Sequence, residues 1–140
     1  MKIEIPTPIS AGIFLSYKCN ASCRHCMYAC SPRWPGDWIS EMDLKEILKV
    51  LAIYIEPAPY GPDSVSVSYG LHFTGGEPFL KYSLLCKAAM LAEKYEIPST
   101  FVETNCFWAN NDQDTRSKLF KLKKLGLKGI MISVNPARSS

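Results

Sequence analysis

Three cysteines lie close together near the start of the chain, in the segment CNASCRHC, with the spacing C-x3-C-x2-C (Cys19, Cys23 and Cys26). Three thiolates at this spacing can bind three corners of a [4Fe–4S] cube, whereas such cubes usually have four Cys ligands. A cube with three protein ligands leaves one iron open to another molecule, just as catalytic metal sites keep an open position that structural sites lack. The triplet therefore predicts chemistry at iron.

A fourth cysteine, Cys30, follows the triplet and provides an alternative, a closed four-cysteine iron–sulfur or zinc binding module. Ferredoxin-type runs begin with two residues between the first two cysteines, and zinc sites favour paired Cys-x2-Cys units. The observed spacing favours the three-ligand site and assigns Cys30 to loop packing. Clustered cysteines in a cytosolic chain point to metal binding more than to disulfides.

Patterns typical of strands and helices alternate along the chain and must position these cysteines. Strands are predicted at residues 12–17, in at least the second half of residues 65–74, at residues 100–104 and at residues 130–134. Helices are predicted after the cap Ser40, over about residues 79–95, and from the cap Asn111 or Asp112 to Leu125. Strands separated by helices form parallel sheets with right-handed crossovers. The expected fold class is therefore α/β.

Each predicted strand runs into residues that can bind a metal or a polar ligand. The first strand leads into a long loop, residues 18–39, that carries the triplet and is here called the cysteine loop. The later strands lead to Thr74, Gly75, Gly76 and Glu77, to Thr104 and Asn105, and to Ser133 and Asn135. The carboxyl ends of parallel strands in a barrel or partial barrel share one rim, where functional residues lie. We therefore expect these segments to form one site.

The composition is that of an ordinary globular domain. The 140 residues suffice for one core, and 47% apolar and 21% charged residues are typical values. The net charge of +3 is too small to indicate nucleic acid, and the lysines clustered near residues 118–128 are interpreted as a solvated helix face. Glu4, Pro6 and Pro8 interrupt any signal-peptide core, and the longest apolar run is too short to span a bilayer. We expect a cytoplasmic protein that does not enter a membrane.

The segment CNASCRHC after a first strand, with the turn GGEP after a second, resembles the radical S-adenosylmethionine (radical SAM) enzymes. The resemblance extends from the first predicted strand to the fourth. It implies a (β/α) barrel, and members normally have more βα units than the four strands and three helices found here. Residues 1–140 are thus expected to form the N-terminal part of the core domain, a partial (β/α) barrel with parallel strands in which later strands are missing. A partner chain that completes the barrel is one interpretation.

The resemblance also implies a [4Fe–4S] cluster and S-adenosylmethionine as cofactors. In the family, the open iron binds the amino group and carboxylate of S-adenosylmethionine. An electron from the reduced cluster cleaves the sulfonium, and the resulting 5′-deoxyadenosyl radical abstracts hydrogen from a substrate. A reductant such as flavodoxin or ferredoxin is then an expected partner. The substrate stays open because later strands and C-terminal additions select it, and a catalytically inactive cluster-binding fragment remains a further alternative.

The resemblance assigns a binding role to each matching residue and a catalytic role to none. Cys19, Cys23 and Cys26 would bind iron. For the cofactor, His25 would lie beside the adenine, in place of the usual aromatic residue, and Gly75, Gly76 and Glu77 would bind the methionine amino group. Pro78 would lie at the start of the next helix. The other cofactor-binding residues would be Thr104 and Asn105 at the polar end of strand three, and Ser133 and Asn135 at the ribose and carboxylate. Backbone oxygens of the glycines would be accessible because no Cβ blocks a ligand.

Four residues outside these motifs have chemistry of their own. Cys106 follows Thr104 and Asn105, where the family often has Gly, and either packs in the loop or has a substrate or redox role. Cys86 lies among apolar helix residues and is predicted to be buried. His72 is either a hydrogen-bonded structural histidine or a cavity residue. Glu103 is either a solvated or paired carboxylate or one that meets an amine of the cofactor or substrate.

Overall fold

The computed structural model describes residues 3–134 and 138–139 of the chain. Four parallel strands form one sheet and are adjacent in the order in which they occur in the sequence: β1 (Ser10–Phe14), β3 (Gly70–Thr74), β4 (Phe101–Thr104) and β5 (Gly129–Ile132). A separate pair, β2 (Ser22–Cys23) and β6 (Arg138–Ser139), is antiparallel. The main sheet has the consecutive strand order of a partial (β/α) barrel.

Three α-helices connect the strands of the main sheet, α1 (Glu41–Leu51), α2 (Tyr82–Lys94) and α3 (Asp112–Lys124), and a 3₁₀ helix, Pro78–Lys81, leads into α2. Ser40 Oγ caps α1 by accepting a hydrogen bond from the Asp43 N–H at 3.0 Å, and Asn111 Oδ1 caps α3 by accepting from the Asp114 N–H at 2.9 Å. Both caps match the prediction, and the α/β fold with four parallel strands and three helices is confirmed. Among the described residues, no helix combines the length and apolarity needed to cross a membrane.

The two faces of the main sheet have different surroundings. One face packs against the helices, and this core includes Leu71 of β3 and, as predicted, Cys86 of α2. Side chains alternate between the faces of a strand. The opposite face, here called the inner face, therefore carries His72 and Thr74 from β3 and Glu103 from β4. The inner face, which the helices do not cover, thus carries polar residues.

Strand boundaries are less well predicted than strand identity. The apolar pattern places the first strand at residues 12–17 and the fourth at residues 130–134, whereas β1 is Ser10–Phe14 and β5 is Gly129–Ile132. The pattern misses these ends because the partner strand sets the ladder, and β1 begins where Ser10 meets Gly70. The pair β2 and β6 has no pattern to detect, since each strand has two residues.

Candidate functional site

The cysteine loop and the ends of β3, β4 and β5 surround one cavity of about 240 Å³. Its walls include Cys19, Cys23, His25 and Cys26 from the loop, Gly75 and Gly76 after β3, Thr104 and Asn105 at the end of β4, and Ser133 after β5. The structure therefore brings most of the predicted site residues together. Glu77 and Pro78 are buried outside the cavity lining, and Asn135 lies outside the described residues.

The side chain of Glu77 is a buried hydrogen-bond acceptor. Glu77 is 1% exposed. Its Oε1 accepts hydrogen bonds from the Phe79 N–H at 3.1 Å and from the Thr104 hydroxyl at 2.9 Å, and its Oε2 accepts from the Asn105 N–H at 2.8 Å. The carboxylate thus joins the turn after β3 to the end of β4. Contact of Glu77 with a cofactor through its backbone oxygen stays a prediction.

The turn after β3 lies directly against the start of the cysteine loop. The Gly76 N–H donates to the Ser16 carbonyl oxygen at 2.8 Å, and the Glu77 N–H donates to the Lys18 carbonyl oxygen at 3.0 Å. A Cβ at Gly76 would overlap the Lys18 carbonyl, and a Cβ at Gly75, whose φ is +121°, would overlap that of Ser16. Glycine is thus required here by contact with the chain's own backbone, a reason that the sequence does not reveal.

The cysteines of the loop pack together. Cys19 and Cys30 are buried, and Cys23 and Cys26 pack against them. The Cys26 N–H donates to the Cys23 carbonyl oxygen at 3.2 Å, and the Cys30 N–H donates to Cys26 Sγ at 3.4 Å. The six cysteines of the chain all lie within residues 3–134, and no disulfide joins any two of them. Cys30 therefore lies close enough to the triplet to keep the four-cysteine alternative open.

Burial changes the acid–base properties of two of these thiols. Burial is the largest cause that raises the pKa of Cys30 to about 12, and the neighbouring Cys26 adds to it. Burial also raises the pKa of Cys19; a hydrogen bond from the Ala21 backbone opposes this increase and the Glu77 carboxylate adds to it. Because thiols bind metals as thiolates, metal binding at these positions would release protons.

The thiols in the wall of the cavity are of the type that binds an iron–sulfur cluster. Within residues 3–134, no three Cys, His, Asp or Glu side chains are placed to hold a single metal ion. Zinc binds Cys sulfur at about 2.3 Å, so the ligand sulfurs of a zinc site must surround one point. A cluster instead offers a separate iron to each ligand. Cys19, Cys23 and Cys26 line one cavity and offer the thiol ligands that a cluster requires.

Asn105 connects the end of β4 to the cysteine loop. Its Nδ2 donates to Asn20 Oδ1 at 2.8 Å and lies 3.8 Å from Cys19 Sγ. Its Oδ1 accepts from the Phe107 N–H at 3.0 Å, which fixes the orientation of the amide. Hydrogen bonds to ligand sulfurs tune the potential of iron–sulfur clusters. Asn20 is a site residue that sequence reasoning misses, because its partner lies on a distant strand.

Glu103 and His72, which have two interpretations each in the sequence, form one polar group with Thr74. Glu103 and Thr74 line the cavity. The Thr74 hydroxyl donates to Glu103 Oε2 at 2.6 Å, and His72 Nε2 lies 3.8 Å from Glu103 Oε1. The His72 ring also stacks on Phe101. Glu103 is therefore a hydrogen-bonded carboxylate of the cavity wall and not a solvated surface residue.

Cys106 occupies a strained backbone position. Its φ is +59°, in the left-handed region, where a residue with a Cβ is destabilised by about 1 kcal/mol or more. We expect Cys106→Gly to raise the free energy of unfolding by about 0.5–1 kcal/mol, as measured by urea denaturation. Cys106→Ala is the control, because it removes the thiol but keeps the Cβ and should give no gain. Equal stability of the two variants would contradict the strain.

Known proteins resemble this chain in both sequence and fold. The model of the radical SAM superfamily matches residues 13–137. This chain belongs to the radical SAM superfamily. Superfamily members are enzymes that normally use a [4Fe–4S] cluster and S-adenosylmethionine. The matched range includes all the residues to which the sequence assigns metal or cofactor binding.

One curated protein and one solved structure that resemble this chain are both longer than the chain. YydG of Bacillus subtilis (strain 168), named as a peptide biosynthesis protein, is 27% identical over 128 residues, which are 89% of this chain and 35% of YydG. The crystal structure of BtrN in complex with AdoMet and 2-DOIA has a TM-score of 0.59 at 16% identity and is matched over 91% of this chain and 46% of BtrN. The likeness to BtrN supports the fold. The chain spans less than half the length of either protein.

Proposed function

We propose that this radical SAM chain binds a [4Fe–4S] cluster and S-adenosylmethionine in the cavity at the rim of its sheet, as part of an enzyme that abstracts hydrogen from a substrate. The observation that carries the proposal is the convergence on that cavity of the three cysteines, the GGEP turn and the ends of β4 and β5. When bound, the cluster and cofactor supply reductive cleavage of the sulfonium to a 5′-deoxyadenosyl radical.

The chain's own residues hold and orient these groups. Cys19, Cys23 and Cys26 would bind three irons of the cluster. The residues that would bind S-adenosylmethionine are His25, Gly75, Gly76, Glu77, Thr104, Asn105, Ser133 and Asn135, with Pro78 setting the turn into the 3₁₀ helix. Thiols are suitable ligands for iron, and the GGEP turn and the polar strand ends offer hydrogen-bonding groups to the cofactor.

The cysteine loop is stiffened by contacts that do not involve its thiols. The rings of Phe14 and Tyr28 meet edge to face with centroids 4.4 Å apart. Trp34 Nε1 donates to the Ala29 carbonyl oxygen at 2.9 Å, and Lys18 Nζ donates to the Pro32 carbonyl oxygen at 2.8 Å. These contacts support a loop that is preorganised for ligand binding, which reduces the conformational entropy lost when a cluster binds.

The proposal is tested by reconstituting the cluster without oxygen, reducing it, and adding S-adenosylmethionine. We expect the electron paramagnetic resonance spectrum of the reduced cluster to change on addition of the cofactor, and 5′-deoxyadenosine to form. Cys26→Ala is the control and should bind no intact cluster. A spectrum that S-adenosylmethionine leaves unchanged would count against the proposal.

Cys30→Ala separates the three-ligand site from the closed four-cysteine module. We expect this variant to keep its iron and sulfide content, because the proposed cluster needs only the triplet. Loss of the Cys30 thiol removes a buried group next to Cys26 and should have little effect on the spectrum with S-adenosylmethionine. Iron content as low as that of Cys26→Ala would favour the closed module instead.

The activity of the whole protein is also a proposal, because the chain spans 35% of YydG and 46% of BtrN. The similarity to YydG supports a role in peptide biosynthesis. A reductant such as flavodoxin or ferredoxin would supply the electron to the cluster. Residues 1–140 would then be the N-terminal part of the core domain, completed by further strands or by a partner chain.

Clustered free cysteines support a cytoplasmic location. A fragment that binds the cluster without catalysis is the second candidate, and it predicts binding of S-adenosylmethionine without 5′-deoxyadenosine.

A further inference from the structure

The inner face of the sheet carries polar groups where a barrel interior is normally apolar. The row nearest the rim contains Phe14, Thr74, Glu103 and Met131, and the row below it contains Gly12, His72, Phe101 and Gly129. Interior layers of (β/α) barrels are dominated by Val, Ile and Leu. A carboxylate, a hydroxyl and an imidazole in adjacent positions therefore need a reason beyond packing.

The surrounding residues hold the Glu103 carboxylate in one orientation. The Thr74 hydroxyl donates to its Oε2 at 2.6 Å, and His72 Nε2 lies 3.8 Å from its Oε1. His72 is seated over Gly12, where an added Cβ would lie 2.5 Å from Nε2, and its ring stacks on Phe101 with centroids 5.2 Å apart. The hydrogen bond from Thr74 thus orients the carboxylate, and the His72 ring lies beside Oε1 at a distance too long for a hydrogen bond.

The charge of Glu103 is not matched by the chain around it. Within residues 3–134, the one basic side chain within 4 Å of the carboxylate is His72, which is charged only when protonated, and the described lining of the cavity contains no Lys or Arg side chain. The Glu103 side chain is 30% exposed, so water solvates the carboxylate only in part. A carboxylate removed from water without a full counter-charge is unfavourable. A cation in the cavity would relieve this cost.

We propose that Glu103, oriented by Thr74 and flanked by His72, binds a protonated amine of the molecule that occupies the cavity. Two sources supply this chemistry, the amino group of S-adenosylmethionine and an amine of the substrate. The inference deepens the proposed function and rests on it for both sources. The carboxylate accepts one charge-assisted hydrogen bond from the ammonium through Oε1, while Oε2 keeps its bond to Thr74.

The first test uses the full chain without a cluster, so that its outcome does not depend on the proposed chemistry. The chain has two histidines, His25 and His72, and their ring signals in nuclear magnetic resonance are assigned with His25→Gln. We expect n-propylammonium near pH 8 to shift the His72 signal and n-propanol to leave it unchanged. Glu103→Gln should remove the shift, since the amide keeps the shape and the Thr74 bond. Glu4→Gln, a charge change at an exposed residue, should retain it.

The second test distinguishes the two sources on reconstituted protein. If the amine belongs to the cofactor, Glu103→Gln should weaken binding of S-adenosylmethionine about 10-fold or more and leave binding of its analogue without the amino group unchanged. If the amine belongs to the substrate, both affinities should stay the same while the propylammonium shift still depends on Glu103. Independence from Glu103 in both titrations would overturn the inference.

Discussion

Gly76→Ala is expected to separate the GGEP turn from the cysteine loop and to abolish cluster binding. The added Cβ would overlap the Lys18 carbonyl and lie 2.9 Å from the Cys19 backbone nitrogen. These are backbone atoms and cannot rotate away as a side chain would, so the loop itself must move. We expect a loss of about 3 kcal/mol in the free energy of unfolding, at the upper end of overpacking effects. Urea denaturation and the iron and sulfide content after reconstitution measure the two effects.

Gly61→Ala is the matched control for this change. Gly61 has a positive φ, +107°, which Gly76 does not, but a Cβ at Gly61 would meet nothing within 4 Å. Its cost should be limited to backbone strain of about 1–2 kcal/mol, and its cluster content should equal that of the unchanged chain. If Gly76→Ala binds as much iron as Gly61→Ala, the contact between turn and loop does not position the ligands.

Glu77→Gln is expected to destabilise the chain by about 2–4 kcal/mol, because it disturbs a buried acceptor of several hydrogen bonds. Oε1 accepts from two donors and Oε2 from the Asn105 N–H. A glutamine must place its NH₂ group at one of these positions, where it would oppose another donor. Urea denaturation measures the change, and we expect lower iron content as well, since Asn105 leads to Asn20 and Cys19.

Glu46→Gln is the control for removing a carboxylate elsewhere. Glu46 is exposed and pairs with Lys49 at 2.8 Å on the surface of α1. Such surface pairs contribute little to stability, so the midpoint of unfolding should be almost unchanged. A Glu77→Gln variant with the same midpoint as Glu46→Gln would show that the buried carboxylate does not stabilise the contact between the turn after β3 and the end of β4.

The sequence predicts the parts of the site that local patterns encode. The spacing of Cys19, Cys23 and Cys26 indicates a metal site, and the caps Ser40 and Asn111 place two helix starts correctly. The rule that parallel strands share a carboxyl-end rim then brings these segments together. None of these predictions needs long-range contacts, because each depends on the order of elements along the chain.

The remaining features depend on contacts that no local pattern contains. The sequence predicts a cofactor role for Glu77, but it does not reveal that the Glu77 side chain is buried and bonded to the end of β4. The sequence predicts that Gly76 leaves space for a ligand, but it does not reveal the close contact of Gly76 with the Lys18 backbone. The pairing of Thr74 with Glu103 requires the register between β3 and β4. Contacts of this kind between distant segments can be identified only from the three-dimensional structure.

The backbone contact between Gly76 and Lys18 has a consequence for how this chain can diverge. The two segments are far apart in the sequence, but the Gly76 and Glu77 N–H groups donate hydrogen bonds to the Ser16 and Lys18 carbonyl oxygens, and no space is left for a Cβ at Gly76. A larger residue at Gly76 would be tolerated only with a rerouted backbone before the first cysteine. We therefore expect the turn and the start of the loop to coevolve, so that grafting either segment alone into a homologue fails where transfer of both succeeds.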